Sequence, residues 1–514
     1  MLTRKPYDDV AWAISTQIWE DWPELLRTDD DVYNDIGVIL SEQFSDLEWT
    51  VFEFLNTGGF NTCFKMEFTN NYGAVIRFPV PGAVMLPEEK VLNEVWVMQY
   101  VSEKTSDKIP IPMPSVVRWT ETKESPSDLG PFIIMDYVNH TGSMGDLLES
   151  PVREIGEPPV LNPELKPARL QALYGELAKI VLSLSTLSFN RIGSIAKNGD
   201  FTWDVLHRPL SYSMNEIVQL GTLPRSQLPT TTYEKASSYF EALAELHLQH
   251  LISQRNEADI SPDVDVDALA DTFRRKFVAR FLFRKLVRDK ESRKQFIFHD
   301  DGPFPIWCDD FRPKNVLVDE NQCITGVVDW EFTYTAPVEF SHAPPWWLLL
   351  RKPEDWPNGL DDWCVEYGKA LETFLVAMAK CEDEAIQKGL LVEGQRLSGR
   401  MRDSWRSGDF WIMYAARNNF AFDAIYWEKV DGRFFGSTIC EDGDVCDIWR
   451  KRLHLLQPGE RRLMEEYVDL KLKDRNTWRL VWDADESTVE WIERLRKKKE
   501  REEREEKPLE EDQM

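Results

Sequence analysis

Cys308-Asp309-Asp310-Phe311-Arg312-Pro313-Lys314-Asn315-Val316-Leu317-Val318-Asp319, followed by Val327-Val328-Asp329-Trp330-Glu331, is the stretch on which the reading of this chain turns. Asn315 follows Asp310 by five residues and leads into an apolar run of strand character. Asn321-Gln322 supply a turn, and CITGVVDWEFT returns as a second strand-like run. That run delivers Asp329 fourteen residues after Asn315. A tight loop holding Asp310 and Asn315, beside a strand that ends at Asp329, predicts three oxygen-bearing side chains in one small volume. An Asp and an Asn at this spacing recur by chance. Their position between strand signals and ahead of Asp-Trp-Glu gives the pattern its meaning.

Upstream, WTVFEFL (49–55), TCFKMEFT (62–69) and AVIRFPV (74–80) read as strands, with Phe64, Met66 and Phe68 alternating against Cys63, Lys65 and Glu67. Asn56-Thr57-Gly58-Gly59-Phe60-Asn61 joins the first two, and Asn70-Asn71-Tyr72-Gly73 is a hairpin turn signal. After Pro87, Val91, Val95, Met98 and Val101 share one helical face, and SVVRW and PFIIMDYV are two further strands. Residues 1–48 read as a helical extension. Helical periodicity dominates from Pro163, interrupted by an expected hairpin at FNRIGSI (189–195), and resumes over 361–506. The expected architecture is α+β and bilobed: a small lobe with an antiparallel sheet (49–138), and a large, mainly helical lobe (139–483) carrying an insertion at about 195–295. A charged helical tail (484–514) follows. Within it 17 of the 20 residues of 493–512 are charged, which predicts a solvated segment rather than a core element.

Phosphoryl transfer gives the three oxygen donors a purpose. It needs a carboxylate that orients the acceptor, and oxygen ligands for a Mg²⁺ that bridges nucleotide phosphates. Gly58-Gly59-Phe60-Asn61, between paired strands, suits a loop whose backbone amides approach phosphates. Arg77 sits where the third strand would present a cation to them, and Glu94 on the following helix can pair with it. Ile133 to Val138 reads as the linker between lobes, offering the Asp136 carbonyl and the Val138 N–H to an adenine edge.

Gly-Gly-Phe-Asn, Val-Ile-Arg-Phe-Pro, Asp-Asp-Phe-Arg-Pro-Lys-Asn-Val-Leu-Val and Val-Asp-Trp-Glu-Phe together resemble the aminoglycoside phosphotransferase and choline kinase branch of the protein-kinase-like fold. The resemblance extends in particular to a large group of fungal phosphotransferase-domain proteins, and covers about residues 49–350. It implies an ATP- and Mg²⁺-dependent small-molecule kinase with Asp310 as catalytic base and Asn315 and Asp329 as Mg²⁺ ligands. Gly58, Gly59, Asn61, Arg77, Glu94, Asp136 and Val138 would then bind nucleotide, with Arg77 in place of the family's more usual strand lysine. Cys308 stands where the family has a His two residues before the catalytic Asp. Trp-Glu rather than Phe-Gly after Asp329 favours the small-molecule branch over protein kinases. The alternative is a catalytically degenerate kinase-like protein that binds nucleotide or serves as a scaffold.

Composition narrows the field. Lys and Arg number 61 against 89 Asp and Glu, a net charge of −28, so nucleic acid is not an expected partner. Seven cysteines without a CxxC spacing, no apolar leader and no apolar run of about 20 residues read as a cytoplasmic (or nuclear) chain without a membrane span. The expected partner is a small hydroxyl-bearing acceptor. No GxxxxGK[ST], HExxH, GxSxG or GxGxxG occurs. Secondary candidates read mainly as structural: His247 and His250 on one helix, His299-Asp300-Asp301, and Asp442, Asp444 and Asp447, whose calcium-loop pattern lacks its closing Glu. Arg417, Asn418, Asn419 and Asp423 could put polar groups into the acceptor cleft, and Glu331 could assist the metal or cap a turn.

Overall fold

The computed structural model describes residues 7–125, 128–152, 157–254, 265–436, 448–474 and 483–505. Two helices come first, α1 (Asp9–Thr28) and α2 (Asp30–Gln43). Each is started by an Asp outside its first turn: Asp8 accepts from the backbone N–H of Val10 and Ala11, and Asp29 from that of Val32. The small lobe then runs β1 (Trp49–Thr57), β2 (Asn61–Phe68), β3 (Gly73–Pro79), α3 (Pro87–Thr105), β4 (Val116–Thr120) and β5 (Phe132–Asp136), in the order the periodicity predicts. Its strands form one antiparallel sheet, ordered β1-β2-β3-β5-β4.

Strand alternation splits the apolar residues of this sheet between two cores. Ala74, Ile76 and Phe78 of β3, with Phe64, Phe132 and Ile134, pack against Trp22, Leu25, Leu26, Ile36 and Leu40 of α1 and α2. Val75, Ile133 and Met135 face the other way, towards Val91, Val95, Met98 and Val101 of α3 and the interior of the large lobe. The N-terminal helices thus cover the outer face of the sheet, and this is why β3 is buried on both sides.

After β5 and residues 137–141 come β6 (Gly142–Ser143), α4 (Met144–Leu148), α5 (Pro167–Ser185), β7 (Ser188–Phe189), β8 (Ser194–Lys197) and β9 (Trp203–His207). They are followed by α6 (Tyr212–Gln219), α7 (Ala236–Ser253), α8 (Val266–Arg288), β10 (Phe304–Cys308), β11 (Val316–Val318), β12 (Ile324–Val327) and β13 (Thr333–Thr335). In the large lobe β10 lies between β13 and β7, and β11 between β12 and β6. The helix Gly359–Gln387 packs along α5.

Two expectations are corrected. The hairpin read at 189–195 is shifted: Ser194–Lys197 pairs with Trp203–His207, while β7 pairs with β10. Gly193 is a point of close approach rather than a turn residue, because a Cβ there would lie 2.3 Å from the His207 carbonyl oxygen. The charged tail is not solvated throughout. In the helix Glu486–Glu505, Trp491 and Leu495 are buried in the outer core of the small lobe, and the Trp491 ring meets Trp22 edge-on with centroids 4.7 Å apart. The charges fall between these apolar positions, so the helix is amphipathic and its narrow apolar stripe finds a partner. Asp442, Asp444 and Asp447 lie outside the described residues. No helix among the described residues is long and apolar enough to cross a membrane, and the five described cysteines are free thiols.

Candidate active site

β10 ends at Cys308, and the chain turns through Asp309 and Asp310 into a short helical turn, Pro313–Asn315, before β11. Three bonds stitch this loop: Asn315 Nδ2 donates to the Asp310 carbonyl (3.0 Å), Val328 N–H to the Asn315 carbonyl (2.9 Å) and Asp309 N–H to the Phe332 carbonyl (3.2 Å). Asp309 is a structural member, accepting from Trp307 Nε1 (2.6 Å) and the Tyr212 N–H (3.2 Å), with Arg417 Nη1 at 3.5 Å. The Cys308 thiol is buried beneath the loop and burial pushes its pKa up, so it serves as packing rather than as a nucleophile. After β12 the backbone adopts φ +59° at Asp329 and +57° at Phe332. Asp tolerates this region better than Phe, for which it costs about 1–2 kcal/mol. The ring of Phe332 is held between Phe60 and Tyr212, with centroids at 5.2 and 5.7 Å.

The sharp turn through Asp329 and Glu331 feeds a buried charge network. Arg77 Nη1 donates to Asp329 Oδ1 (2.8 Å) and Nη2 to Glu94. Burial alone would lower the Arg77 pKa, but Glu94 and Asp329 outweigh it and keep the guanidinium charged. Lys90, one turn before Glu94 on α3, contacts Glu331, donates to Asn61 Oδ1 (2.7 Å) and lies 3.7 Å from Glu94 Oε2. Asn61 Nδ2 in turn donates to Glu331 Oε2 (3.0 Å). Burial would raise the Glu331 pKa, but Lys90 and Arg77 hold it below the usual carboxylate range.

One cavity of about 850 Å³ lies between the lobes. Gly58, Gly59, Asn61, Arg77, Asp136, Val138, Asp310, Asn315 and Asp329 all line it, so nine of the ten residues singled out from the sequence share a single space. Glu94 is the exception, fully buried behind Arg77. Asn61 reaches the cavity wall, yet both ends of its side-chain amide are committed to Lys90 and Glu331. The Asp136 carboxylate is likewise occupied, accepting from the Tyr72 hydroxyl (2.7 Å) and the Ser115 N–H (3.3 Å). Asp310 is only 12% exposed. Its burial, reinforced by Glu331 and Asp329 and opposed by Arg312, pushes its pKa up to about 6.

Two residue groups were missed. Lys90 is the central cation of the network, and the only sequence signal for it was a Lys–Glu pair at i, i+4 on a helix that carries other charged residues as well. The N-terminal extension also enters the cavity wall, with Tyr7, Trp12, Ser15, Thr16 and Trp19. On the far side of Asp310 a smaller pocket is lined by Arg312, Trp346, Lys352, Arg417 and Asn418. Asn419 and Asp423 are structural instead, bonded to Ser213 and Arg280. His247 bonds to the Ala416 carbonyl through Nε2, and burial, with Arg280 adding to it, pulls its pKa down to about 3. Among the described residues no group of three or more His, Cys, Asp and Glu could hold a metal. The pair Asn315 and Asp329 fits a cation that keeps most of its own waters or phosphate oxygens, as Mg²⁺ does. The Asn315 Nδ2 bond and the Arg77 contact to Asp329 Oδ1 leave one carboxamide oxygen and one carboxylate oxygen for it.

A small antiparallel-sheet lobe lies over a large helical lobe, with an acidic loop and a two-glycine loop on either side of the cleft, which is the expected bilobed, protein-kinase-like fold. The phosphotransferase enzyme family model matches residues 69–371, more than half of the chain, and the chain belongs to that family. Among solved structures it is similar to the aminoglycoside phosphotransferase APH(4)-Ia, at 13% identity over 87% of this chain and 100% of that one, with a TM-score of 0.38. It is also similar to the macrolide 2′-phosphotransferase MphH of Brachybacterium faecium (12% identity, 76% and 98% covered, TM-score 0.34). The choline kinase LicA of Streptococcus pneumoniae aligns at 11% identity, with 72% and 98% covered and a TM-score of 0.29. No curated protein matches.

Proposed function

We propose that this chain transfers the γ-phosphoryl group of ATP, with Mg²⁺, to a hydroxyl of a small molecule in the cytoplasm. The observation that supports this reading is the shared cavity: Asp310, Asn315 and Asp329 line it together with Arg77, the Gly58-Gly59 loop and the linker residues 136–138. Asp310 orients the acceptor hydroxyl and takes its proton as the bond from that oxygen to the γ-phosphorus forms and the bond to the β,γ-bridging oxygen breaks, with ADP leaving. Its carboxylate suits that task because burial has moved its pKa towards neutrality. Asn315 and Asp329 would hold the metal. Bound Mg²⁺ supplies charge neutralisation across the phosphates. Arg77, kept charged and oriented by Glu94, faces the same phosphates, and the Gly59 amide covers them, the Gly58 N–H being committed to the Asn61 carbonyl (2.8 Å). The Asp136 carbonyl and Val138 N–H read the adenine edge.

The test pairs binding with turnover. Mg²⁺·ATP raises the melting temperature of the wild type, because a ligand that binds only the folded state stabilises it, by about 2.7 kcal/mol at a hundredfold excess over Kd. Asp310→Asn keeps that stabilisation and loses about 10²–10⁴-fold in ADP release across a panel of hydroxylated small molecules. Equal ADP release by wild type and variant refutes the assignment of the base, and no Mg²⁺·ATP stabilisation of the wild type refutes the kinase reading.

A further inference from the structure

The family match begins at residue 69, so α1 lies outside it, yet Trp12, Ser15, Thr16 and Trp19 of α1 line the cavity, and the segment is anchored to both lobes. At its start the Tyr7 hydroxyl donates to Glu216 Oε1 (2.8 Å) and the Asp8 N–H to the Leu220 carbonyl (2.8 Å), both in or next to α6 of the large lobe. Further along, Trp22, Leu25 and Leu26 belong to the core of the small lobe. Between these anchors Trp19 Nε1 donates to the Gly58 carbonyl at 2.8 Å. The indole is 43% exposed, so this contact is not a by-product of core packing.

That bond acts on one peptide unit. A peptide is planar and trans, so its C=O and the following N–H point in opposite directions. Holding the Gly58 carbonyl against Trp19 therefore aims the Gly59 N–H away from α1. Without it, the Gly58-Gly59 peptide has no side chain to fix it: a Cβ at Gly59 would meet nothing within 4 Å. The next residue is already anchored, since the Phe60 ring lies edge-on to Tyr212 (5.5 Å) and Phe332 (5.2 Å), and the Phe60 carbonyl accepts from the Val80 N–H (2.8 Å). On the other flank the Gly58 N–H donates to the Asn61 carbonyl (2.8 Å), and Trp19 fixes the peptide that lies between these two anchors.

We infer that Trp19 is a positioning residue for nucleotide phosphates: it acts through the Gly58-Gly59 peptide and presets the amide that covers them. The inference rests on the proposed nucleotide role of that loop. Trp19→Phe keeps an aromatic ring at the cavity wall and removes the N–H. By calorimetry, its Kd for Mg²⁺·ATP is expected to rise about 3- to 10-fold, the range of one lost hydrogen bond. Its Kd for adenosine, which carries no phosphate, is expected to stay unchanged, as is the melting temperature without ligand. In turnover the same change appears in KM for ATP more than in kcat. Equal weakening of ATP and adenosine overturns the inference, because it marks a general structural role, and so does an unaltered ATP affinity. If the wild type itself takes up no Mg²⁺·ATP, the kinase reading falls first and this inference with it.

Discussion

Replacing Lys90 with Met tests whether the buried charge network is a single interdependent unit. Lys90 is 1% exposed, and its ammonium is shared among Glu331, Asn61 and Glu94. In the native network two cations, Arg77 and Lys90, face three carboxylates, Glu94, Asp329 and Glu331, an excess of one negative charge. Arg77 is committed to Glu94 and Asp329, so removing Lys90 leaves Glu331 buried with Asn61 as its remaining hydrogen-bond donor. An uncompensated buried charge costs about 3–5 kcal/mol, whereas removing both members of a pair costs much less. Lys90→Met is therefore expected to lower stability by about 3–5 kcal/mol, read from urea unfolding followed by tryptophan fluorescence. Adding Glu331→Gln to it is expected to restore about 1–3 kcal/mol, because the neutral amide can still accept from Asn61. A cost below about 1 kcal/mol for Lys90→Met, or strict additivity of the two substitutions, refutes the reasoning.

The acid limb of the reaction follows from Asp310. Its pKa is raised to about 6, so the inactive protonated form dominates below that value, and kcat/KM of the free enzyme is expected to fall roughly tenfold per pH unit on the acid side. A profile that stays flat between about pH 5 and 7 counts against Asp310 as the base. For the C-terminal helix, Trp491→Ala removes a ring that is 4% exposed and packed on Trp22, and is expected to destabilise the protein by about 3–5 kcal/mol in the same unfolding measurement. A loss under about 1 kcal/mol would mean that the helix rests on the small lobe without supporting it.

Local patterns were enough to pick out residues that share one cavity. Asp310, Asn315 and Asp329 are separated by short, regular segments, so strand and turn signals between them fix their relative placement. The order of strands and helix in the small lobe was legible for the same reason. What escaped is what depends on remote pairing. Asn61 meets Glu331 across 270 residues, Tyr7 meets Glu216 across 209, and Trp19 meets Gly58 across 39. Lys90 looked like one more polar residue at the start of a helix until the fold brought Glu331 down onto it. The misplaced hairpin at 189–195 has a similar cause. Gly193 reads as a turn residue locally, while its need for a bare backbone is imposed by His207 on a different segment.

The covering of the sheet by α1 and α2 has a practical consequence for anyone trimming the chain. A fragment cut back to the family-matched span 69–371 would discard both helices, β1 and the whole of β2, together with Trp491 and Leu495 from the other end. Ile76, Phe78, Phe132 and Ile134 would then face water on an open sheet whose new edge is the apolar strand β3. Such a fragment would be expected to self-associate through that edge rather than display a minimal catalytic unit. The outlying segments are thus the missing half of a core, and the smallest piece worth expressing is close to the whole.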